Sequence, residues 1–392
     1  MGCVMMSCSI LIVWLLMLRF GVCREALCIP SERETLLKLK RNLTDPLNRL
    51  SSWNDASENS NCCEWVGVVC NNVTAHVVEL HLNTTPPNFD DYLFDEDPYD
   101  EALEAFSRSQ FGGKINPCLA DLKHLNYLDL SWNVFLGQGK PIPVFFGTMT
   151  SLTHMDLFYS GFDGKIPSQI GNLSNLVYLD LRLATYGSII PSQIGNLSDL
   201  RQLGLQGSRS GLAEIFDWLS RLSKLEYLSL EGALLSEAWL HAFHALPSLT
   251  NLNLWGCSLP PHYSQPSLLN FSSLLTLDMS YTNYSFSPKW IFGLTKLVSL
   301  RLSQNHFQGP IPDDIQNLTL LQNLDLSGNS FTSSIPVVLR NLTSLVKLYL
   351  SSNQLEGEIP TSLGNLTSLV KLDLSHNQLK GTIPTFFGNC FL

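Results

Sequence analysis

Charged side chains are scarce: 15% of the 392 residues are Asp, Glu, Lys or Arg, against about 25% in average globular usage. Basic residues are the scarcer kind, 24 against 34 acidic, leaving a formal net charge of −10. That balance excludes nucleic-acid binding by phosphate neutralisation, and 45% apolar residues exclude a disordered chain. Long hydrophobic runs are missing too. The longest, Ile10 to Leu18, falls well short of the roughly 18 residues of a membrane span and sits where a signal-peptide core belongs. Residues 1–24 therefore read as a secretion signal, with an uncleaved anchor as the alternative; no later stretch offers a transmembrane segment.

Catalytic patterns are equally lacking. Of 9 histidines only His241 and His244 are close, and no His-Glu-x-x-His, Gly-x-Ser-x-Gly or phosphate-cradling glycine loop occurs. Asp129, Asp156, Asp180, Asp278, Asp325 and Asp373 recur, but as one position of a repeated phrase and not as a catalytic constellation. The chain reads as a non-enzyme with no cofactor and no metal.

Leucine at a fixed period is what the sequence does have. The phrase Leu-x-x-Leu-x-Leu starts at Leu125, Leu152, Leu176, Leu200, Leu225, Leu249, Leu274, Leu297, Leu321, Leu345 and Leu369, and a further start lies at Val77. Alternate leucines of a short strand point one way, and a coil cannot bury them without neighbours, so about twelve coils stack into a solenoid with a concave parallel sheet. Gly-x-Ile-Pro recurs at Gly164, Gly309, Gly357 and Gly381, where Pro suits a sheet edge or turn. The coils from Leu297 onward keep Asn305, Asn329, Asn353 and Asn377 in register and look like scaffold, whereas those from Leu200 to Lys296 lose this pattern and carry helical stretches at 213–222 and 236–245.

Four of the 10 cysteines, Cys28, Cys62, Cys63 and Cys70, crowd the N-terminal end. They allow three disulfide pairings or a zinc site, and secretion favours disulfides. Cys118 and Cys257 have no evident partner. Ser31 and Glu34 have the spacing of a capping box ahead of Leu36, Leu37 and Leu39. Asn-x-Ser/Thr sequons occur at Asn42, Asn72, Asn83, Asn172, Asn196, Asn270, Asn283, Asn317, Asn341 and Asn365, and glycan is expected on half of them or more. Five share the phrase Asn-Leu-Ser/Thr and hence one place in the repeat.

The period, the consensus Leu-x-x-Leu-x-Leu-x-x-Asn-x-Leu-x-Gly-x-Ile-Pro and the block Cys62-Cys63-Glu64-Trp65-Val66-Gly67-Val68-Val69-Cys70 resemble the plant-specific leucine-rich repeat family. Cys28 to Leu37, Asp45 to Trp53 and Asp121 to Leu130 resemble, more narrowly, plant receptor-like proteins, the group of the fungal-xylanase and scab-resistance receptors. The resemblance implies an α/β leucine-rich repeat solenoid, a curved right-handed superhelix with a disulfide-bonded N-terminal cap over residues 25–76 and repeats over 77–392. It implies the pairs Cys28–Cys62 and Cys63–Cys70, with Trp53 and Trp65 in the cap core. It also implies a cell-surface or apoplastic defence receptor without a kinase domain, binding a protein, peptide or glycan ligand and signalling with a co-receptor kinase. The rival reading is a secreted inhibitor of microbial wall-degrading enzymes, like polygalacturonase-inhibiting proteins, or a soluble decoy. The family pattern continues past Cys390 with more coils and a membrane anchor, so a truncated product or an incomplete gene model is expected.

An insertion at 84–110 is rich in Asp and Glu. It reads as a solvated loop, or as one that engages a basic partner or exposes Tyr92 and Tyr99 for sulfation. By register the concave face carries Tyr127, Trp132, Phe158, Tyr159, Tyr178, Arg182, Arg201, Gln202, Glu226, Tyr227, Glu231, Asn251, Trp255 and Tyr281. Aromatic and Arg side chains are what interfaces use as anchors, so the ligand is expected on this stretch, between the third coil and the eighth.

Overall fold

The computed structural model describes residues 27–54, 61–87, 96–137, 139–184, 190–206, 218–235, 243, 245–259, 273–285 and 289–385. Residues 1–24, expected as a signal, together with Asn270, Tyr92, Cys390, 213–217 and all of 236–245 except 243 and 245 fall outside them.

Each coil contributes one short strand whose central residue points into the core. Leu80, Leu128, Met155, Leu179, Leu203, Leu228, Leu252, Leu277, Leu300, Leu324 and Leu348 are all at most 1% exposed. The strands are β1 (Val68–Cys70), β2 (Val77–His81), β3 (Tyr127–Asp129), β4 (His154–Asp156), β5 (Tyr178–Asp180), β6 (Gln202–Gln206), β7 (Tyr227–Glu231), β8 (Asn251–Asn253), β9 (Thr276–Asp278), β10 (Ser299–Arg301), β11 (Asn323–Asp325), β12 (Lys347–Tyr349) and β13 (Lys371–Asp373). They form one 13-stranded sheet in sequence order. β1 pairs antiparallel with β2 and closes the N-terminal end, while each later strand runs parallel to the one before, Leu on Leu except at Met155 of β4.

The repeat proline has a more definite job than an edge position. Pro143, Pro167, Pro191, Pro312, Pro336 and Pro360 each stand immediately before a five-residue 3-10 turn. Their fixed φ suits that entry and their missing N–H is not needed there. Asn172, Asn196, Asn317, Asn341 and Asn365 are the last residues of such turns and are exposed.

The Asn at the strand exit ties coil to coil. Asn329 Nδ2 donates to the carbonyls of Leu302, Leu326 and Ser327 at 2.9, 3.1 and 3.2 Å, and its Oδ1 accepts from Phe307 N–H at 3.1 Å. Asn305, Asn353 and Asn377 make the same set of carbonyl bonds, as does Asn133 early in the chain. Where the slot is not Asn, smaller groups fill it: the Ser160 and Thr282 hydroxyls each donate to the carbonyl three residues back, and the buried Cys257 thiol donates to Leu230 O.

The cap is built on α1 (Pro30–Asn42). It starts one residue before the expected Ser31 cap: Ile29 occupies the N-cap without a side-chain bond and Pro30 opens the first turn. Ser31 thus lies inside the helix, no capping box forms, and Glu34 pairs with Arg41 at 3.2 Å instead. Leu36, Leu37 and Leu39 are buried as expected. Cys28–Cys62 and Cys63–Cys70 are disulfides, and Trp53 and Trp65 stack at 5.7 Å in the cap core. The buried Glu32 carboxylate accepts from Val77 N–H at 2.7 Å and pairs with His76 at 2.8 Å, docking α1 onto β2.

The acidic insertion is anchored rather than simply solvated. It contains α2 (Glu96–Ser109), and Phe106 on it is buried against Trp132, ring centroids 5.9 Å apart. Arg49 holds both ends of the insertion, donating to Thr84 Oγ1 at 2.8 Å, Asn83 O at 2.5 Å and Ser109 O at 3.2 Å while lying 4.2 Å over the Phe111 ring.

Candidate ligand-binding face

Side chains flanking each central Leu form columns on the concave surface. The first column runs Glu79, Tyr127, His154, Tyr178, Gln202, Tyr227, Asn251, strand by strand. His154 lies sandwiched between Tyr127 and Tyr178, centroids 4.0 and 3.9 Å away and nearly parallel, and His81 tilts onto Tyr127 at 4.6 Å. These rings cover one another's faces, so Tyr127 and Tyr178 present edges, not platforms, to a ligand.

The second column carries the recurring aspartates, and the structure explains them. One oxygen each of Asp129, Asp156, Asp180, Asp278, Asp325 and Asp373 accepts the backbone N–H two residues on, at 2.9–3.0 Å. The carboxylate terminates the strand by satisfying a donor the ladder leaves over. Arg182 is drawn into this column. It binds Asp180 through Nε and Nη2, the latter at 2.6 Å, reaches Glu231 with Nη1 at 2.7 Å, and lies 5.0 Å over the Phe158 ring. Burial pulls its pKa down, but the Asp180 bonds and the charges of Asp180 and Glu231 outweigh this and hold it above the ordinary value. Arg201 pairs with Glu226 and Lys224 with Asp199 across neighbouring coils. Arg182, Arg201 and Lys224, in this half of the face, are thus all paired.

Where Arg182 does not reach, the crowding of carboxylates shows. Burial, then the Asp180 charge, pushes the Asp156 carboxyl up to about 7, against the opposing Phe158 N–H and Tyr178 hydroxyl bonds. Burial pushes its hydrogen-bond donor Tyr178 up as well, with Asp156 and Asp180 adding to it, and burial lowers His154. Since the folded value exceeds the unfolded one of 3.8, the bound proton favours the fold fully below about pH 4, and this contribution is lost as pH rises through 7. Asp156→Asn should therefore flatten the fall in melting temperature between pH 5 and pH 8 and raise it at pH 8 by about 2–4 °C. Differential scanning calorimetry at both values tests this, and an unaltered slope would refute it.

A third group sits just past each strand, at a position with left-handed backbone. Gly232, Gly256 and Gly328 take it with φ of 66, 67 and 62°; Leu183, Gln304, Ser352 and His376 take it at 50, 55, 53 and 52°, and the aromatic Trp132, Tyr159 and Tyr281 at 58, 50 and 59°. A bulky side chain in that conformation costs about 1–2 kcal/mol and persists only where something compensates. For Trp132 the compensation is packing: Phe158 at 4.8 Å, Tyr159 at 5.3 Å and Phe106 of α2. Tyr281 has, among the described residues, a ring contact with Trp255, at 5.4 Å and tilted by 55°.

Trp255 and Tyr281 are 45% and 50% exposed and open a concave cavity of about 320 Å³ that continues over Asp278, Arg301, Asn323, Asp325, Lys347 and Tyr349. Arg301, 60% exposed, has one ion-pair partner among the described residues, Asp278 at 3.7 Å, with Asp325 beside it on the next strand. Lys347 has no ion-pair partner among the described residues, and Lys371 Nζ lies 5.3 Å over the Tyr349 ring. A second hollow of about 450 Å³, on the turn side, is lined by Pro141, Ile142, Val144, Ile166, Pro167 and Pro191, and offers few polar groups. The concave cavity thus runs into the coils whose regular sequence suggested plain scaffold.

Of the residues expected to bind ligand, Trp255 and Tyr281 line this cavity. Trp132 and Tyr159 pack at the rim, Tyr127 and Tyr178 stack on His154, and Arg182 and Glu231 bond each other. Gln202, exposed, and Tyr227, half-buried, share the first column; Arg201 and Glu226 pair beside it. Arg301, Lys347, Tyr349, His81 and His154 were missed. Reading the residues one before and one after each central Leu as columns would have found them.

Residues 29–71 match the leucine-rich repeat N-terminal domain, and 109–308 and 258–386 match the leucine-rich repeat region; the chain belongs to the leucine-rich repeat proteins. Within them it is similar to plant receptor-like proteins. It is 32% identical over 298 residues to Receptor-like protein EIX1 of Solanum lycopersicum, covering 74% of this chain and 25% of that one. It is 36% identical over 165 residues to Receptor-like protein EIX2 of the same plant, covering 40% and 14%. A polygalacturonase inhibitor of Pyrus communis is 33% identical over 107 residues, 27% of this chain and 31% of the inhibitor. Among solved structures, the leucine-rich repeat ectodomain of the Arabidopsis receptor kinase HAESA, in complex with an extended IDA peptide hormone, superposes with a TM-score of 0.59 at 26% identity over 91% of this chain and 51% of that one. The chain spans about a quarter of the length of EIX1. No helix among the described residues is long and apolar enough to cross a membrane.

Proposed function

We propose that the chain is the recognition part of a plant receptor-like protein, carried through the secretory pathway to the cell surface or the apoplast. It is a non-catalytic module whose concave face binds a protein, peptide or glycan ligand and presents the complex to a co-receptor kinase. Residues 1–24 serve as signal, 25–76 as cap and 77–392 as repeats, with glycan on the exposed turn sequons. The observation that carries this reading is the exposed aromatic and cationic cavity between Trp255 and Tyr349. Similarity to EIX1 over most of the chain supports the receptor class. The match to polygalacturonase inhibitors, over 27% of the chain, keeps inhibition as the alternative.

The test uses the full chain secreted from plant cells and immobilised for interferometry against size-fractionated fungal culture filtrate, with polygalacturonase inhibition assayed in parallel. Binding of a filtrate component that Trp255→Ala with Tyr281→Ala weakens at least tenfold, without pectinase inhibition, is the expected result. Stoichiometric inhibition of polygalacturonase would replace recognition by inhibition.

A further inference from the structure

The two halves of the concave face differ in how their cations are used, and the difference bears on what binds. Arg182 is bound to Asp180 and Glu231, Arg201 to Glu226 and Lys224 to Asp199. From β10 onward this stops: Arg301 has one carboxylate at 3.7 Å, and Lys347 and Lys371 have no ion-pair partner among the described residues. The carboxylates of Asp278 and Asp325 line the same cavity, but neither forms an ion pair with Lys347 or Lys371 among the described residues. Asp325 and Asp373 each spend one oxygen on a backbone N–H and on the hydroxyl of Ser327 or Ser375. Beside the free cations, Trp255 and Tyr281 meet at 55°, a notch and not a flat platform. A sugar ring stacks on a flat face; a notch takes a branched or aromatic side chain. Tyr281 takes the left-handed backbone that the repeat has at this position, shared with Gly256, Gln304, Gly328, Ser352 and His376, and that backbone turns its ring toward Trp255.

We propose that this end of the face is a subsite for an extended acidic peptide segment, one apolar side chain in the Trp255–Tyr281 notch and acidic side chains on Arg301 and Lys347. The inference rests on the recognition reading above and specifies its ligand. The geometry sets a spacing. Trp255 follows β8, Arg301 ends β10 and Lys347 begins β12, so successive anchors lie two strands, roughly 10 Å, apart. An extended peptide crossing the strands covers that in about three residues. The segment therefore carries an apolar residue followed, in either chain direction, by acidic residues three and six positions away.

The experiment selects a randomised linear peptide library displayed on phage against the full secreted chain, then against Arg301→Ala with Lys347→Ala and against Tyr281→Asn, an exchange that keeps a residue tolerant of positive φ. The expected result is enrichment of the apolar and acidic spacing, with affinity reduced at least tenfold by the double substitution and about threefold or more by Tyr281→Asn, while circular dichroism and melting temperature stay unchanged. Enriched peptides that lack acidic residues, or that bind the substituted chains equally well, overturn the subsite but leave concave-face recognition standing. No peptide enrichment, with an oligogalacturonate of about ten units binding through Arg301 and Lys347 instead, overturns the peptide assignment. Failure of both probes, with filtrate binding still lost in Trp255→Ala, also overturns it without touching the recognition reading.

Discussion

Arg182→Ala is expected to lower the unfolding free energy by about 3 kcal/mol at pH 8 and by distinctly less at pH 5. Removing one partner of a buried pair strands the other charge, at a typical cost of about 3–5 kcal/mol. Here two are stranded: Asp180 and Glu231, whose side chains are 5% and 16% exposed. Asp180 also stands next to Asp156, already pushed up to about 7 by burial and by that same neighbour. At pH 8 an ionised Asp156 repels the bare Asp180; at pH 5, below the value of about 7 for Asp156, that carboxyl carries a proton and the repulsion is removed. Arg182→Lys should fall between, because a single ammonium keeps the charge but cannot fork between two carboxylates. Urea unfolding at the two pH values measures this. Equal losses at both would show that packing of the Arg182 stem over Phe158, not charge, is what the residue supplies.

That network was only half legible in the sequence. Period and strand were plain, because burying Leu at every second position of a stacked strand leaves no other solution. The cysteine cap was legible only through the family resemblance, because four cysteines by themselves allow three pairings or a zinc site. The capping box failed because two start signals competed and Pro30, with its preset φ, won over the Ser31 side chain. The insertion misled through composition: Asp100, Glu101 and Glu104 face solvent, yet Phe106 packs on Trp132 and Arg49 holds the ends of the insertion. The site was harder, because aromatic residues serve packing and binding alike. Tyr178 and Tyr281 look equivalent as letters. One is closed off by His154 from the next strand, and the other stands beside a single tilted Trp255 with open cavity on its far side. Ion pairing has the same ambiguity, as Arg182 and Arg301 differ only in which carboxylates lie within reach.

Asn329→Ala should cost about 3–5 kcal/mol in local stability. The side chain closes four backbone groups, the carbonyls of Leu302, Leu326 and Ser327 and the N–H of Phe307, at a site 9% exposed. Each buried group left unpaired costs about 1–3 kcal/mol, reduced where water enters the vacated slot. Because a solenoid is held by nearest-neighbour contacts, the loss stays near its origin. Amide exchange should therefore speed up between β10 and β12 while the cap and β2 to β5 keep their protection. Uniform acceleration along the chain would show that the coils unfold as one unit instead. Ala184 and Ala233 occupy the corresponding slot in early coils and are fully buried, so those coils close over a methyl group and need no amide. The later coils hold Arg301 and Lys347 on strands that Asn305, Asn329 and Asn353 keep in register. Asn329→Ala should thus weaken acidic-peptide binding as well, although the residue touches no ligand.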